Sequence, residues 1–145
     1  VTSRAAISCH EFIGKNEKIM ADKAATDSMR NEINKLKING KVVIGEGELD
    51  EAPMLYIGEK VGKSTGPEID IAVDPLEGTT ITAKGMPNSL AVIAASQKGG
   101  LLNAPDTYMN KIAVGGSFPD EIIDLDASVE VNIKSLAQAK KVKPN

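Results

Sequence analysis

Hydrophobic residues recur at helical spacing in two segments near the start of the chain. The first segment, residues 3–13, predicts a helix that Ser3 caps and Gly14 ends. The second, residues 19–36, predicts a longer helix. Its expected buried stripe consists of Ala25, Met29, Ile33 and Leu36. The chain is therefore expected to begin with two helices.

Short apolar runs without helical spacing predict strands. Residues 41–44 form the first strand, directly after a turn signal at Asn39-Gly40. Residues 69–74 form the second, which is expected to end at Asp74 because Pro75 has no N–H to donate. Residues 90–95 are too apolar for an edge and predict a buried central strand.

Weaker patterns cover much of the remaining chain. They predict a partly helical segment at residues 54–61 and a short helix at residues 79–84. They also predict three further strands, at residues 101–102, 111–114 and 122–125, and a closing helix at residues 127–140. Helices mixed with short buried strands favour a layered α/β or α+β fold.

Composition restricts the class of protein. With 145 residues, of which 41% are hydrophobic and 26% charged, the chain is expected to form a folded domain. Its net charge of −3 and its 3% aromatic residues argue against a nucleic-acid partner. No apolar run approaches the roughly 20 residues that span a bilayer, so no membrane partner is expected and the cytoplasm is the default location.

The single cysteine and the single histidine exclude several kinds of site. Cys9 has no partner for an internal disulfide, and we interpret it as a small packing residue. His10 is adjacent to it, and adjacent helical residues point apart, so a Cys–His dyad is not expected. A zinc site built from several histidines is excluded.

Acidic residues follow the ends of the first two predicted strands. Glu46 and Glu48 come after the first strand, and Asp74 and Glu77 lie at the end of the second. Because strand ends meet at one edge of a sheet, we expect these carboxylates to converge with Asp22 from the second helix. Divalent cations would offset their repulsion, and ligands made only of oxygen favour Mg²⁺ or Mn²⁺.

Glycines favour this interpretation over the plainer one of a solvated acidic loop. Gly45, Gly47 and Gly78 lie beside the acids, which suggests that the backbone closely approaches a ligand. Gly78-Thr79-Thr80 predicts a turn into a helix, and the first N–H groups of a helix attract phosphate. The combination predicts metal-dependent phosphoryl transfer or hydrolysis.

Four segments in sequence order cover much of the chain: residues 45–48, 50–62, 70–79 and 102–111. Together they resemble class II fructose-1,6-bisphosphatase. That family belongs to the lithium-sensitive sugar and inositol phosphatase superfamily, whose signature is Asp-Pro-x-Asp/Glu-Gly-Thr/Ser. The resemblance implies a sugar-phosphatase-like α/β sandwich. It also implies hydrolysis of the 1-phosphate of fructose 1,6-bisphosphate, a gluconeogenic reaction that yields fructose 6-phosphate and phosphate.

The resemblance further implies a role for each matching residue. Two Mn²⁺ or Mg²⁺ ions would be held by four carboxylates, in the pairs Asp22 with Glu46 and Asp74 with Glu77. Three residues would have catalytic roles: Thr79 near the attacking water, Glu48 in the inner acidic shell, and Lys18 against the phosphate charge. Substrate contacts would come from Glu77, Gly78, Thr79 and Tyr108.

The chain departs from the family pattern in sequence and in length. Ile19 and Met20 replace two polar residues beside Asp22, and Thr80 stands where relatives often have Arg or Asn. Family members continue into a second region that supplies arginines for the 6-phosphate, whereas this chain has only two arginines, Arg4 and Arg30.

We therefore interpret residues 1–145 as an N-terminal metal- and phosphate-binding domain without its C-terminal domain, homo-oligomeric when full length. Two alternatives stay open. One is a related phosphatase acting on sedoheptulose bisphosphate, inositol phosphate or nucleotide phosphate. The other is a non-catalytic module that binds metal or phosphate.

Overall fold

The computed structural model describes residues 1–47, 54–102 and 109–144. The chain divides into two compact units, Val1–Ala104 and Pro105–Asn145. The helices and strands of the first unit are, in chain order, α1 (Thr2–Cys9), a 3₁₀ turn (His10–Phe12), α2 (Lys18–Ile33), β1 (Asn39–Ile44), β2 (Lys60–Val61), β3 (Glu68–Glu77), α3 (Thr79–Ala83) and β4 (Leu90–Gln97). The second unit contains helix α4 (Val129–Lys140).

The four strands form one mixed sheet in the order β2-β1-β3-β4. Strands β1 and β3 run parallel, and each pairs with its outer neighbour in antiparallel fashion. Helices α1 and α2 contact each other and pack on β3. This arrangement confirms the predicted α/β class.

The core of the first unit lies between these helices and the sheet. Met29 and Ile33 of α2 are fully buried with Val42 of β1 and Ile71 of β3. Small residues on the helices (Ala5, Ala21 and Ala25) are also fully buried. Because small side chains let two helices approach closely, the Ser8 hydroxyl of α1 reaches the Ala24 carbonyl of α2 at 2.9 Å. The buried helical stripe is thus confirmed except at its last position.

Three details of the predicted helices are wrong. The first helix begins at Thr2 with Val1 as its N-cap, so Ser3 lies inside it. It ends at Cys9 and is followed by the 3₁₀ turn, so Gly14 is not where it ends. The second ends at Ile33, and Leu36 is 44% exposed. Beyond the helix, the Asn34 side chain accepts a hydrogen bond from the Gly62 N–H at 2.9 Å. This contact ties the end of α2 to the end of β2 and turns the chain toward the sheet.

The predicted turn at Asn39-Gly40 is also wrong, because both residues belong to β1. Gly40 pairs with Val61, and a Cβ atom on Gly40 would come within 3.0 Å of that valine. The glycine therefore serves close strand packing. Residues 54–61, predicted as partly helical, instead contain β2 and no helix.

Strand β3 continues through Pro75 to Glu77, which contradicts the predicted end at Asp74. The register between β3 and β4 shifts between Asp74 and Glu77. Proline is tolerated at such an irregularity because no ladder hydrogen bond is required there. The strand thus carries both acidic residues.

The predicted strand over residues 90–95 is confirmed as β4, but its central, buried position is not. In the described sheet β4 is an edge strand, and Leu90 and Val92 are 59% and 44% exposed. The apolar composition of β4 therefore does not distinguish an edge strand from a central strand.

Cys9 is buried, as expected for a packing residue, and His10 is exposed. The short helix after Thr79 and the closing helix are confirmed as α3 and α4. No strand forms at residues 101–102, 111–114 or 122–125. In the last of these segments, the Asn132 side chain of α4 holds both the N–H and the carbonyl of Asp124, at 2.9 and 2.8 Å. Within the described part of the chain, no helix is both long and apolar enough to cross a membrane.

Candidate active site

Three of the four predicted metal ligands carry a buried oxygen that has no hydrogen-bond partner among the described residues. These atoms are Asp22 Oδ1, Glu46 Oε2 and Asp74 Oδ1. They come from α2, from the residues after β1, and from β3. Since an unpaired buried carboxylate oxygen is costly, the three atoms together indicate a place built for a positively charged ligand.

The parallel pairing of β1 and β3 explains why two of these carboxylates are neighbours. Ile44 of β1 pairs with Ala72 of β3. Glu46 and Asp74 each follow two residues later, so both lie at the same level beyond that pair. The carboxyl ends of parallel strands are where open α/β sheets place ligands.

Burial and the charges of neighbouring carboxylates shift the pKa values within this cluster. Burial raises the pKa of Glu46 to about 7, and the charges of Asp22, Asp74 and Glu77 add to the rise. Burial also raises the pKa of Asp74 to about 6, together with a hydrogen bond to Glu77 and its charge. The pKa of Asp22 is raised by burial. The structure therefore places Asp22, Asp74 and Glu77 near enough to Glu46 for their charges to act on it.

The donor set suits a hard divalent cation, although the side chains do not form a finished cage. Across residues 1–47, 54–102 and 109–144, no three His, Cys, Asp or Glu side chains are arranged closely enough to hold a metal ion as they stand. The available donors are carboxylate oxygens, which Mg²⁺ and Mn²⁺ prefer. Bound cations would give these unpaired oxygens partners and offset the repulsion, so the donor chemistry fits a hard divalent cation.

The whole chain, residues 1–145, matches the family described as "Bacterial fructose-1,6-bisphosphatase, glpX-encoded". It belongs to that family. The chain is 50% identical over 139 residues to the fructose-1,6-bisphosphatase 1 class 2 of Escherichia coli (strain K12), with 96% of the chain and 41% of the relative covered.

Cyanobacterial relatives are similarly close. The chain is 49% identical over 150 residues to the D-fructose 1,6-bisphosphatase class 2/sedoheptulose 1,7-bisphosphatase of Thermosynechococcus vestitus, covering 95% of the chain and 43% of the relative. A protein of the same name from Synechococcus sp. (strain CC9311) is 47% identical over 145 residues, covering 100% and 43%. The chain thus spans about two fifths of the length of these curated relatives.

Gly45 and Gly78, which lie beside the acidic residues, pack against other parts of the same chain. A Cβ atom on Gly45 would lie 2.2 Å from the Leu55 carbonyl oxygen, which also accepts the Glu46 N–H at 3.0 Å. Gly78 has φ +93°, and a Cβ there would lie 2.7 Å from Ile81. These two glycines are therefore explained by packing and backbone conformation, rather than by the close ligand approach that the sequence suggested.

The other predicted site residues are placed as follows. Thr79 is the first residue of α3, with Gly78 as its N-cap, and Glu77 ends β3. Lys18 begins α2 and lies one turn before Asp22 on the same helix. It is exposed and forms no ion pair with the described residues. Glu48 and Tyr108 lie outside the described residues, and the roles of all these residues stay predictions.

Sequence reasoning did not identify the structural contacts of Arg30. Its guanidinium forms an ion pair with Glu59 at 2.7 Å and donates to the Met54 carbonyl. Arg30 therefore fastens the segment before β2 to helix α2. Its partners lie 24 and 29 residues away, so no local pattern could have identified them.

Two buried threonines were also missed. Within the described part of the chain, Thr26 Oγ1 and Thr82 Oγ1 are buried and have no hydrogen-bond partner. Thr26 lies one helical turn after Asp22, and Thr82 lies in the helix that Thr79 begins. A spacing of four residues from Asp22 is the signal that could have drawn attention to Thr26.

Proposed function

We propose that this chain supplies the metal- and phosphate-binding part of an enzyme that hydrolyses the 1-phosphate of fructose 1,6-bisphosphate. The products are fructose 6-phosphate and phosphate, as in gluconeogenesis. The observation that carries the proposal is the carboxylate cluster with its three unpaired buried oxygens. It lies in a chain that is 50% identical to a class 2 fructose-1,6-bisphosphatase.

Divalent cations belong to this proposal, because class II fructose-1,6-bisphosphatases are metal-dependent phosphatases. Asp22 with Glu46 would hold one ion, and Asp74 with Glu77 a second, with Mn²⁺ or Mg²⁺ favoured by the oxygen donors. When bound, such ions polarise the phosphoryl group and acidify water. The proton that Glu46 retains near neutral pH must leave before its carboxylate can bind a cation.

The chain's own residues would bind and orient the substrate. Gly78 and Thr79 would hold the phosphate at the start of α3, where the first backbone N–H groups lack intrahelical acceptors. The Thr79 hydroxyl would position the attacking water, with Glu48 in the inner acidic shell. Lys18 would offset phosphate charge and Tyr108 would contact the sugar.

The proposal extends to the full-length protein, in which residues 1–145 form the N-terminal domain. We expect that protein to be a cytoplasmic homo-oligomer. Its grip on the 6-phosphate would come from outside this chain, because Arg30 is already engaged with Glu59. Multiple charge-assisted hydrogen bonds are normally needed to hold a second phosphate.

Hydrolysis of sedoheptulose 1,7-bisphosphate is the second candidate. It is favoured by relatives that carry both activities in their names and are 49% and 47% identical to the chain. Comparing the two bisphosphates as substrates separates the two functions.

The test is Mn²⁺-dependent phosphate release from each bisphosphate, measured with the chain and with an Asp74→Asn variant. Asp120→Asn is the matched control, because Asp120 is exposed in the second unit. We expect phosphate release to be lost in Asp74→Asn and kept in Asp120→Asn. If the chain alone does not hydrolyse the substrate, we expect the same difference in Mn²⁺ binding. Equal Mn²⁺ binding and equal release in all three proteins would refute the assignment.

A further inference from the structure

A basic groove lies at the end of the sheet opposite the carboxylates. Its charged lining residues are Lys41, Lys60, Lys98, Glu68 and Asp70, and its volume is about 250 Å³. The groove is formed by the first residues of β1 and β3, together with β2 and the residue after β4. Asp70 precedes Asp74 by four residues of β3, which corresponds to about 13 Å along the strand.

Two lysines of this groove are direct cross-strand partners. Lys41 of β1 pairs with Lys60 of β2 in the antiparallel register. Paired side chains lie on the same face with Cβ atoms roughly 4.5–5.5 Å apart, so like charges at such positions repel. Both lysines are exposed, and neither forms an ion pair with the described residues. The sheet therefore contains a repulsive pair that a bound anion would relieve.

The acids of the groove already have partners. Glu68 forms an ion pair with Lys98 at 3.0 Å. Asp70 is 8% exposed and accepts the Gly99 N–H at 2.6 Å. Lys41 is also the register neighbour of Asp70, but the two side chains form no ion pair. Lys41 and Lys60 thus have no ion-pair partner among the described residues, Asp70 keeps its negative charge beside them, and the three lysines and two acids give the groove a net positive charge.

A plainer explanation covers only part of this arrangement. Lysine on an edge strand discourages pairing with a second chain, and β2 is an edge of the described sheet. That accounts for Lys60. It does not account for Lys41, since β1 lies inside the described sheet.

We propose that this groove binds a small anion that carries two or more phosphate charges, at a site separate from the carboxylate cluster. Lysine ammonium groups bind phosphate as point charges, and Lys41 and Lys60 line the groove without an ion pair to any described residue. The groove is smaller than the roughly 300–1,000 Å³ of pockets for drug-sized ligands, so a compact anion fits better than a nucleotide. The proposal is independent of the proposed hydrolysis.

The test uses pyrophosphate as the probe and the chain without metal. Without bound cations the carboxylate cluster repels anions, so pyrophosphate does not bind there. Calorimetric titration at constant ionic strength, set with sodium chloride, should show saturable binding. Lys41→Ala and Lys60→Ala should each weaken this binding at least about tenfold, since each removes a charge-assisted contact. Lys60→Arg should retain it.

The matched control is Lys15→Ala, which removes an exposed lysine that does not line the groove. It should bind pyrophosphate as the parent chain does. A second readout separates the site from general charge effects. Without anion and at low salt, Lys60→Ala should melt at a higher temperature than the parent, because cross-strand repulsion is lost. Absent binding, or the same loss of binding in Lys15→Ala, would overturn the proposal.

Discussion

Glu46 and Asp74 lie side by side because two parallel strands hold them in register. Ile44 of β1 pairs with Ala72 of β3. Glu46 comes two residues after Ile44, and Asp74 comes two residues after Ala72. Burial raises both pKa values, to about 7 for Glu46, where the charges of Asp22 and Asp74 add to the rise, and to about 6 for Asp74, where Glu77 adds to it. The pair is thus the electrostatic centre of the candidate site.

The raised pKa values predict how the metal-free chain responds to pH. Both groups ionise at lower pH in the unfolded chain, with ordinary values of 4.5 for Glu46 and 3.8 for Asp74. Between those values and about 7, the folded state holds more protons than the unfolded state. Stability should therefore fall as pH rises through this window and level off above it. The melting temperature between pH 5 and 8 measures the effect.

A Glu46→Gln variant provides the control for this pH dependence, because its amide cannot titrate. The fall in melting temperature should be smaller in that variant. A parent melting temperature that stays level or rises between pH 5 and 8 would contradict the prediction.

Divalent cations should reverse this effect. Mn²⁺ binds the ionised carboxylates of the folded state, so it should raise the melting temperature more at pH 8 than at pH 5. Asp22→Asn should reduce the shift, whereas the exposed Asp120→Asn should leave it unchanged. Equal shifts in the two variants would show that Mn²⁺ binds elsewhere.

The Arg30–Glu59 ion pair should contribute measurably to stability. The side chains are only 24% and 11% exposed, so removing one partner leaves a poorly solvated charge. We expect Glu59→Gln to lower the free energy of unfolding by about 1–3 kcal/mol in urea denaturation. The Lys134–Glu130 pair is 65% and 74% exposed, and Glu130→Gln should have no measurable effect. Similar losses in both variants would refute the distinction.

Substitution of Gly45 should damage the site through packing. In Gly45→Ala the new Cβ would lie 2.2 Å from the Leu55 carbonyl oxygen, so the backbone that carries Glu46 must move. A loss of roughly 1–3 kcal/mol in unfolding free energy is expected, together with weaker Mn²⁺ binding. Gly116→Ala is the control, because nothing lies within 4 Å of a Cβ there. Unchanged Mn²⁺ binding in Gly45→Ala would count against the placement of Glu46.

Local sequence patterns were sufficient for the elements whose formation depends on their own residues. The stripe of Ala25, Met29 and Ile33 predicted a buried helix face, and the alternation before Asp74 predicted a strand. The acidic residues after β1 and in the second half of β3 indicated the carboxylate cluster. Helix periodicity and strand alternation are properties of neighbouring residues, so a sequence records them directly.

Tertiary structure alone decided the features that depend on distant partners. Pro75 remains within β3 because the register with β4 shifts there, and Gly40 belongs to β1 because Val61 packs against it. The apolar β4 lies at an edge of the described sheet, and Arg30 is held by Glu59 from 29 positions away. Strand neighbours and ion-pair partners are chosen by the packing of the whole chain, which no local window of sequence contains.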